Sequence, residues 1–463
     1  MAASTPAKRP RNDESSEWQP CLSSGEVDAY HREGWLIPKA SLSAEEVERF
    51  RQSLDRVIAQ NPSVRPELLV SAHLEAKGTE GVAGSHDFLQ LGLQPLILEA
   101  VAQVLGLDFA LWGCQIFCKP GFDGMEVPMH QDGEYWPIRP LSTVTVWVAL
   151  DRSDKENGAL RVVPRSHRKM LQHEKCEGRM VLSQRLTDVE LGQLPAAVDV
   201  ELDPGQFSMH DVYLVHGSNA NTSPRRRAGV ALRYMPTSSV LDREMFDADR
   251  AGFTIDWKNR PLFLVSGQDR SGGRNCYSPL PGPLAFPDGF RRWCCAKSPT
   301  DWAKLKTWME ETISIPWERA LEGRRVAQWG VRYDYTKQCV DLTPVAAIPD
   351  FLRDFFPEVG PEFTQCIINE YGPGDGIPWH VDDLVFGPEV RVFVFGESRP
   401  LLLRREATAT VEMRHLWSYC FSGAARYDWQ HSVPEGSQRR WSFTFRSLKQ
   451  PSIAPAKSKS VTC

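Results

Sequence analysis

The stretch Asn369-Glu370-Tyr371-Gly372-Pro373-Gly374-Asp375-Gly376-Ile377-Pro378-Trp379-His380-Val381-Asp382 closes a β-prone run with a Gly/Pro turn and ends on a histidine and a carboxylate two residues apart. On a strand, residues i and i+2 point to the same side, so His380 and Asp382 can grip one cation without backbone distortion. A second copy of this arrangement lies in the first half, in Met129-His130-Gln131-Asp132. Each copy is followed at a distance by a further histidine with an arginine behind it: His216 then Arg227, and His431 then Arg440 and Arg446. Two histidines and one carboxylate on one face of Fe(II) leave three positions open for a co-substrate and O₂. An arginine fork suits a carboxylate co-substrate. For the first copy His210 competes with His216 as the distal ligand, since both would share a face of an unbroken strand.

Outward from these motifs the pattern is mostly β. Val144, Val146, Val148 and Leu150 alternate with Thr143, Thr145, Trp147 and Ala149, and Val230, Leu232 and Tyr234 alternate with Ala231 and Arg233. In the second half the strand pattern returns at 367–371, 390–395, 411–419 and 440–446, the last placing Arg440, Ser442, Thr444 and Arg446 on one face and Trp441, Phe443 and Phe445 on the other. Two helices are predicted ahead of the first strands, one from the capping box Ser43-x-x-Glu46 and one from Pro95 to Gly106. The expectation is an antiparallel sandwich or barrel packed against helices, twice over.

The chain has 463 residues, 41% hydrophobic and 24% charged, which suits two globular domains and rules out wholesale disorder. A net charge of −5 argues against a broad phosphate-binding surface, and acidic residues outnumber basic ones over 301–450 as well. No apolar run is long enough to span a bilayer and the N-terminus is polar, so a soluble, cytoplasmic or nuclear protein without membrane partners is expected. The 11 cysteines show no paired spacing, which fits a reducing compartment. Residues 1–25 read as a disordered arm in which Lys8-Arg9-Pro10-Arg11 has the composition of a nuclear localisation signal. The Pro/Gly-rich span 276–319 reads as a connector, with a helix from Trp302 to Ile313, and 448–463 as a disordered tail.

Residues 26–275 resemble the phytanoyl-CoA dioxygenase (PhyH) family, through His130-Gln131-Asp132, Glu156-Asn157-Gly158-Ala159-Leu160 running into Val163-Pro164-Arg165-Ser166-His167, and His216-Gly217-Ser218 before Arg227. Residues 320–447 resemble the AlkB family, through 369–382, Ala425-Arg426-Tyr427-x-Trp429-x-His431 and Arg440-Trp441-Ser442-Phe443-Thr444-Phe445-Arg446. The resemblance is nearest to the AlkB branch that hydroxylates tRNA wobble uridine, with Arg324-Arg325-Val326, Tyr333 and Tyr335 adding to it, although no RNA-recognition or methyltransferase domain flanks the region. It implies two double-stranded β-helix (jelly-roll) dioxygenase domains in tandem, each using one Fe(II), 2-oxoglutarate and O₂, with ascorbate in a supporting role. By the same resemblance iron is held by His130, Asp132 and His216 and by His380, Asp382 and His431. The co-substrate is bound by Gln131, Trp147, Ser218 and Arg227 in the first half and by Asn369, Tyr371, Arg440 and Arg446 in the second. The activities implied are hydroxylation of a small or acyl-type molecule by the first half. For the second they are hydroxylation or oxidative demethylation of a nucleic-acid base, RNA before DNA, or of a protein side chain. The alternative is one catalytic half with the other serving as a docking or ligand-sensing module.

Overall fold

A computed structural model describes residues 20–449 apart from 76–81, 177, 245–255, 282–284, 295–296, 298, 313–314, 321–322, 336, 338 and 342–344. The basic cluster at 8–11 and most of the two tails lie outside the described residues.

The first described element is helix α1 (Ser24–Glu33), whose first residues the sequence reading places in the arm; a capping box of Ser23 and Glu26 starts it and Gly34, at φ 84°, ends it. Helix α2 (Ala44–Gln60) starts at the predicted box of Ser43 and Glu46 and buries Val47, Phe50, Leu54 and Val57 along one face. Helices α3 (His86–Gly92) and α4 (Pro95–Leu105) follow, α4 with proline at its first turn. No single described helix is long and apolar enough to cross a membrane; the bent pair α3–α4 passes on length and composition, and it packs in the core.

The rest of the first half is built mainly on two antiparallel sheets, with two smaller strand pairs, Ile138–Arg139 with Val240–Leu241 and His173–Lys175 with Gln184–Leu186, beside them. The larger has seven strands, six of them in the order Trp35–Leu36, Phe207–Asp211, Val144–Ala149, Arg227–Pro236, Phe109–Lys119, Phe263–Ser266. The smaller has four: Val198–Val200, Leu160–Val162, His216–Ser218, Val127–His130. Helices α2 to α4 cover one face of the larger sheet through Leu111, Val146, Val230 and Leu232. The other face turns toward the smaller sheet, with Trp147, Ala149 and Ala231 meeting Leu160 and Val162. Both faces are therefore buried, and alternation along Val144–Ala149 separates helix-facing from cavity-facing side chains rather than core from solvent.

The second half repeats the plan, with a seven-stranded sheet running Phe290–Cys294, Trp417–Phe421, Phe386–Gly396, Arg440–Leu448, Gln365–Tyr371, Arg325–Trp329, Glu318–Arg319 and a four-stranded one running Ile377–His380, Gln430–Val433, Arg399–Arg404, Thr408–Met413. Phe356, Phe393, Phe395, Phe443 and Phe445 pack on the outer face of its larger sheet, under the helix Pro299–Glu311. Two features differ from the sequence reading. The run 411–419 is not one strand: the backbone turns at Leu416, φ 61°, and sends the two pieces into different sheets. The span read as a connector contributes a sheet strand, Phe290–Cys294, paired to Trp417–Phe421, as well as the helix Pro299–Glu311.

The two halves pack together. Strand Phe290–Cys294 lies against α4 and strand Phe263–Ser266; the Gly267 N–H donates to the Arg292 carbonyl at 3.2 Å, and Arg414 reaches Glu99 of α4 at 3.2 Å.

Candidate active sites

Both motifs sit at the same place in their halves. The strands Val127–His130 and His216–Ser218 are neighbours with His130 opposite His216, and Ile377–His380 and Gln430–Val433 are neighbours with His380 opposite His431. One ligand atom from each of His130, Asp132 and His216, and one from each of His380, Asp382 and His431, lie within 4.8 Å of one another. The ring centroids are 4.3 Å apart in the first pair and 4.1 Å in the second. In each half the motif histidine fixes its Nδ1 on a carbonyl two residues back, Pro128 or Pro378, at 2.8 Å, which leaves Nε2 for a metal. Burial keeps His216 well below the usual imidazole range and pushes His431 down to about 3. Burial opposes ionisation of Asp132, but the imidazoles of His130, His210 and His216 facing it outweigh burial and hold its carboxyl low. At Asp382 burial is outweighed by Arg446 and the two histidines, giving about 2. Neutral imidazoles beside a carboxylate are the donor set Fe(II) takes.

His210 and His216 do not share a strand. The chain breaks after Asp211, and the two histidines enter the cavity from opposite sheets. His210 Nε2 and His216 Nε2 are both 3.9 Å from Asp132 Oδ2, and it is His216 that joins His130 and Asp132 in the three-residue cluster.

Trp147, Ser218 and Arg227 line the first cavity together with His130, Asp132 and His216. Arg227 is 2% exposed; its Nε and Nη2 donate to the Gly158 carbonyl at 3.0 and 2.7 Å, and Trp147 lies under the guanidinium. That carbonyl sits on the Glu156-Asn157-Gly158 turn, where φ is 77° and a Cβ would come 2.5 Å from the Asn219 oxygen, so glycine is required. Gln131 is not in the cavity. Its amide donates to the Lys169 and Tyr213 carbonyls and accepts from the Leu171 N–H, because strand alternation turns it away from the side His130 and Asp132 share.

One residue of this site escaped the sequence reading. Lys119 is fully buried beside Arg227, with Nζ donating to Ser218 Oγ at 2.7 Å and to the Asn219 carbonyl. Burial, and then Arg227, push its amine down to about 6. Arg227 lines the cavity without a carboxylate partner among the described residues, and Lys119 lies behind it with its donors on Ser218 and the Asn219 carbonyl. Lys119→Met is expected to stabilise the co-substrate-free chain while raising KM for 2-oxoglutarate about tenfold, the lower end of what a charged hydrogen bond contributes. The sign follows from proton binding: the unfolded lysine holds its proton up to about pH 10, whereas the folded one releases it near 6. The native residue therefore costs most at and below pH 6, and the melting-temperature gain of the variant shrinks as pH rises toward 9. A gain that is flat or grows with pH would refute this account.

In the second half Asn369, Tyr371, His380, Asp382, His431 and Arg446 line one cavity. Arg446 pairs with Asp382. Asn369 accepts from Arg324 Nε at 3.2 Å and donates to Ser442 Oγ at 3.3 Å. Arg440 is fully buried over the Tyr371 ring, and none of its three nitrogens has a hydrogen-bond partner. A buried guanidinium left so is costly, and a carboxylate would satisfy it. Arg426 has a role that the sequence reading missed: it donates to the Asp382 carbonyl at 2.9 Å and to the Asp383 carbonyl, holding the turn that carries the ligand.

Comparison with known proteins agrees with this geometry. The model of the phytanoyl-CoA dioxygenase (PhyH) family matches residues 30–229, and that of the 2OG-Fe(II) oxygenase superfamily matches 290–449. An ectoine dioxygenase from Bordetella parapertussis is 28% identical over 247 residues, 48% of this chain and 78% of its own length. The peroxisomal phytanoyl-CoA dioxygenase of Bos taurus is 25% identical over 224 residues, 44% of this chain and 66% of its own. Among solved structures, EctD from S. alaskensis with 2-oxoglutarate and 5-hydroxyectoine is 23% identical with a TM-score of 0.41, covering 59% of this chain and 95% of that one. The chain is a 2-oxoglutarate-dependent dioxygenase, with a PhyH-family domain in its N-terminal half and a second domain of the 2OG-Fe(II) oxygenase superfamily in its C-terminal half.

Proposed function

We propose that the chain is a bifunctional dioxygenase made of two jelly-roll domains in tandem. The observation that carries this is the duplication of the apparatus: two His-Asp-His clusters, each with a buried arginine nearby, Arg227 or Arg440, that has no carboxylate partner among the described residues. A module kept only for docking would be free to lose such costly groups.

Fe(II) and 2-oxoglutarate, when bound, would supply with O₂ the oxidative decarboxylation to succinate and CO₂ in which one oxygen atom goes to succinate and the other hydroxylates a substrate C–H bond. The protein's own work is placement. His130, Asp132 and His216 would hold the metal of the first half, while Ser218 and Arg227, with Lys119 behind them, take the far carboxylate of the co-substrate. Trp147 and Leu160 keep water out. His380, Asp382 and His431 would hold the second metal, with Asn369, Tyr371 and Arg440 on the co-substrate and Arg446 steadying Asp382.

The first half acts on a small molecule; the ectoine and phytanoyl-CoA dioxygenase relatives support this. The second, AlkB-like, half acts on an RNA base, by hydroxylation or by removal of an N-methyl. Tyr333, Tyr335 and Trp379 at the cavity, with Arg404 4.3 Å above the Trp379 ring, are suited to stacking a base drawn out of a strand. A protein side chain is the second reading, favoured by the acidic Asp383 at the cavity. The test is mass spectrometry of products. The His380→Ala chain is incubated with small cyclic amino acids including ectoine, and the His130→Ala chain with total tRNA. Oxygen gain or methyl loss in both incubations upholds the reading; product from one background only makes the other half a binding module.

A further inference from the structure

The strand Arg227–Pro236 carries a second inward arginine. Arg233 follows Arg227 by six residues, so both point into the first cavity about 20 Å apart along the strand, one on either side of the metal ligands. Arg227 is on the co-substrate side; Arg233 faces the other end. Its cross-strand neighbour is Thr145, whose hydroxyl lies 3.4 Å from Asp132 Oδ2, so the guanidinium stands next to where the reaction takes place.

Arg233 is 8% exposed and forms no ion pair. Nη1 and Nη2 both lean on Gln115 Oε1 at 3.3 and 3.2 Å, and Nε has no partner. The arginine at the same spacing in the second half, Arg446 after Arg440, is paired directly with Asp382; Arg233 feels Asp132 only through space, with no ion-pair contact among the described residues. The polar atoms around it are unsatisfied donors: Gln115 Nε2 and Trp112 Nε1 are buried without partners. Apolar walls complete the end of the cavity, with Trp136 5.2 Å and Trp112 5.9 Å from the Arg233 guanidinium and Trp257 beside them. Space is kept open by Gly113, whose Cβ would press to 3.3 Å on Arg260 and 3.6 Å on Arg233.

A buried cation that shares one amide oxygen between two of its nitrogens, with Arg233 Nε, Gln115 Nε2 and Trp112 Nε1 left without acceptors, suits an anionic oxygen ligand. We infer that the primary substrate of the N-terminal site is a small acid, its anionic oxygens held by Arg233, Gln115 and Trp112 and its apolar body between the tryptophans. This rests on the proposed small-molecule activity of that half and names the class of molecule it takes.

The test is calorimetric binding to the full chain loaded with Fe(II) and 2-oxoglutarate in the absence of O₂, using matched aromatic probes: benzoate against benzamide, and phenyl phosphate. The acids are expected to bind about ten- to a hundredfold more tightly than the amide, the range of a charge-assisted hydrogen bond. Arg233→Gln should abolish that preference. Benzoate against phenyl phosphate then tells a carboxylic acid from a phosphate ester. Equal binding of acid and amide, no binding of any probe, or an acid preference that survives in Arg233→Gln would overturn the inference, and the first two need no variant to fold. Failure of the underlying activity reads out separately, as a visible Fe(II)–2-oxoglutarate absorption that His130→Ala leaves unchanged.

Discussion

His130→Ala is expected to remove one component of O₂-dependent succinate formation and His380→Ala the other, with the double variant inactive. Changes to groups that merely support a metal ligand cost about 10- to 100-fold, so loss of a ligand should lower turnover of its own half by about a hundredfold or more. The other half should be untouched, because the two clusters share no residue. Iron content checks this without any substrate: two metals per chain for the native protein, one for each single variant. A native chain that binds one iron, or one whose turnover falls to nothing with a single substitution, would contradict two independent sites.

Arg440→Met should pull stability and activity in opposite directions. The native guanidinium is fully buried with three nitrogens unsatisfied, and replacing such a group by an apolar one of similar length commonly stabilises by about 1–4 kcal/mol. The co-substrate-free variant is therefore expected to melt a few degrees higher. With the cation gone, a carboxylate placed there loses its partner, and truncating one member of a buried charge pair costs about 2–5 kcal/mol. Activity of the C-terminal half should then need about 30-fold more 2-oxoglutarate or beyond, and 2-oxoglutarate should no longer raise the melting temperature of that half. A variant that is both less stable and unchanged in KM would show Arg440 to be structural.

The metal centres were legible because their signal is local: a histidine and a carboxylate two apart, then a histidine and an arginine downstream. The α2 and α4 boundaries were legible for the same reason, through Ser43/Glu46 and Pro95/Gly106. What the sequence hid depends on distant partners. Lys119 lies 99 residues from Ser218, and Arg426 lies 44 from the Asp382 it holds. Arg233 looked like one more alternating strand residue until the fold surrounded it with Gln115 and three tryptophans. Gln131 went astray although alternation alone places it opposite its neighbours His130 and Asp132. Residues 411–419 read as one strand because nothing in composition marks Leu416 for a left-handed turn.

The seam at Gly267 and Arg292 has a consequence for how the chain can be divided. Phe263–Ser266 and Phe290–Cys294 are each the last strand of a seven-stranded sheet, and each sits against the other. Bare sheet edges recruit strands from other molecules. Here every copy carries its own shield: the first half blunts the edge of the second, and the second blunts that of the first. Separating the halves by scission between 267 and 289 would strip both edges at once and leave fragments inclined to stick to one another.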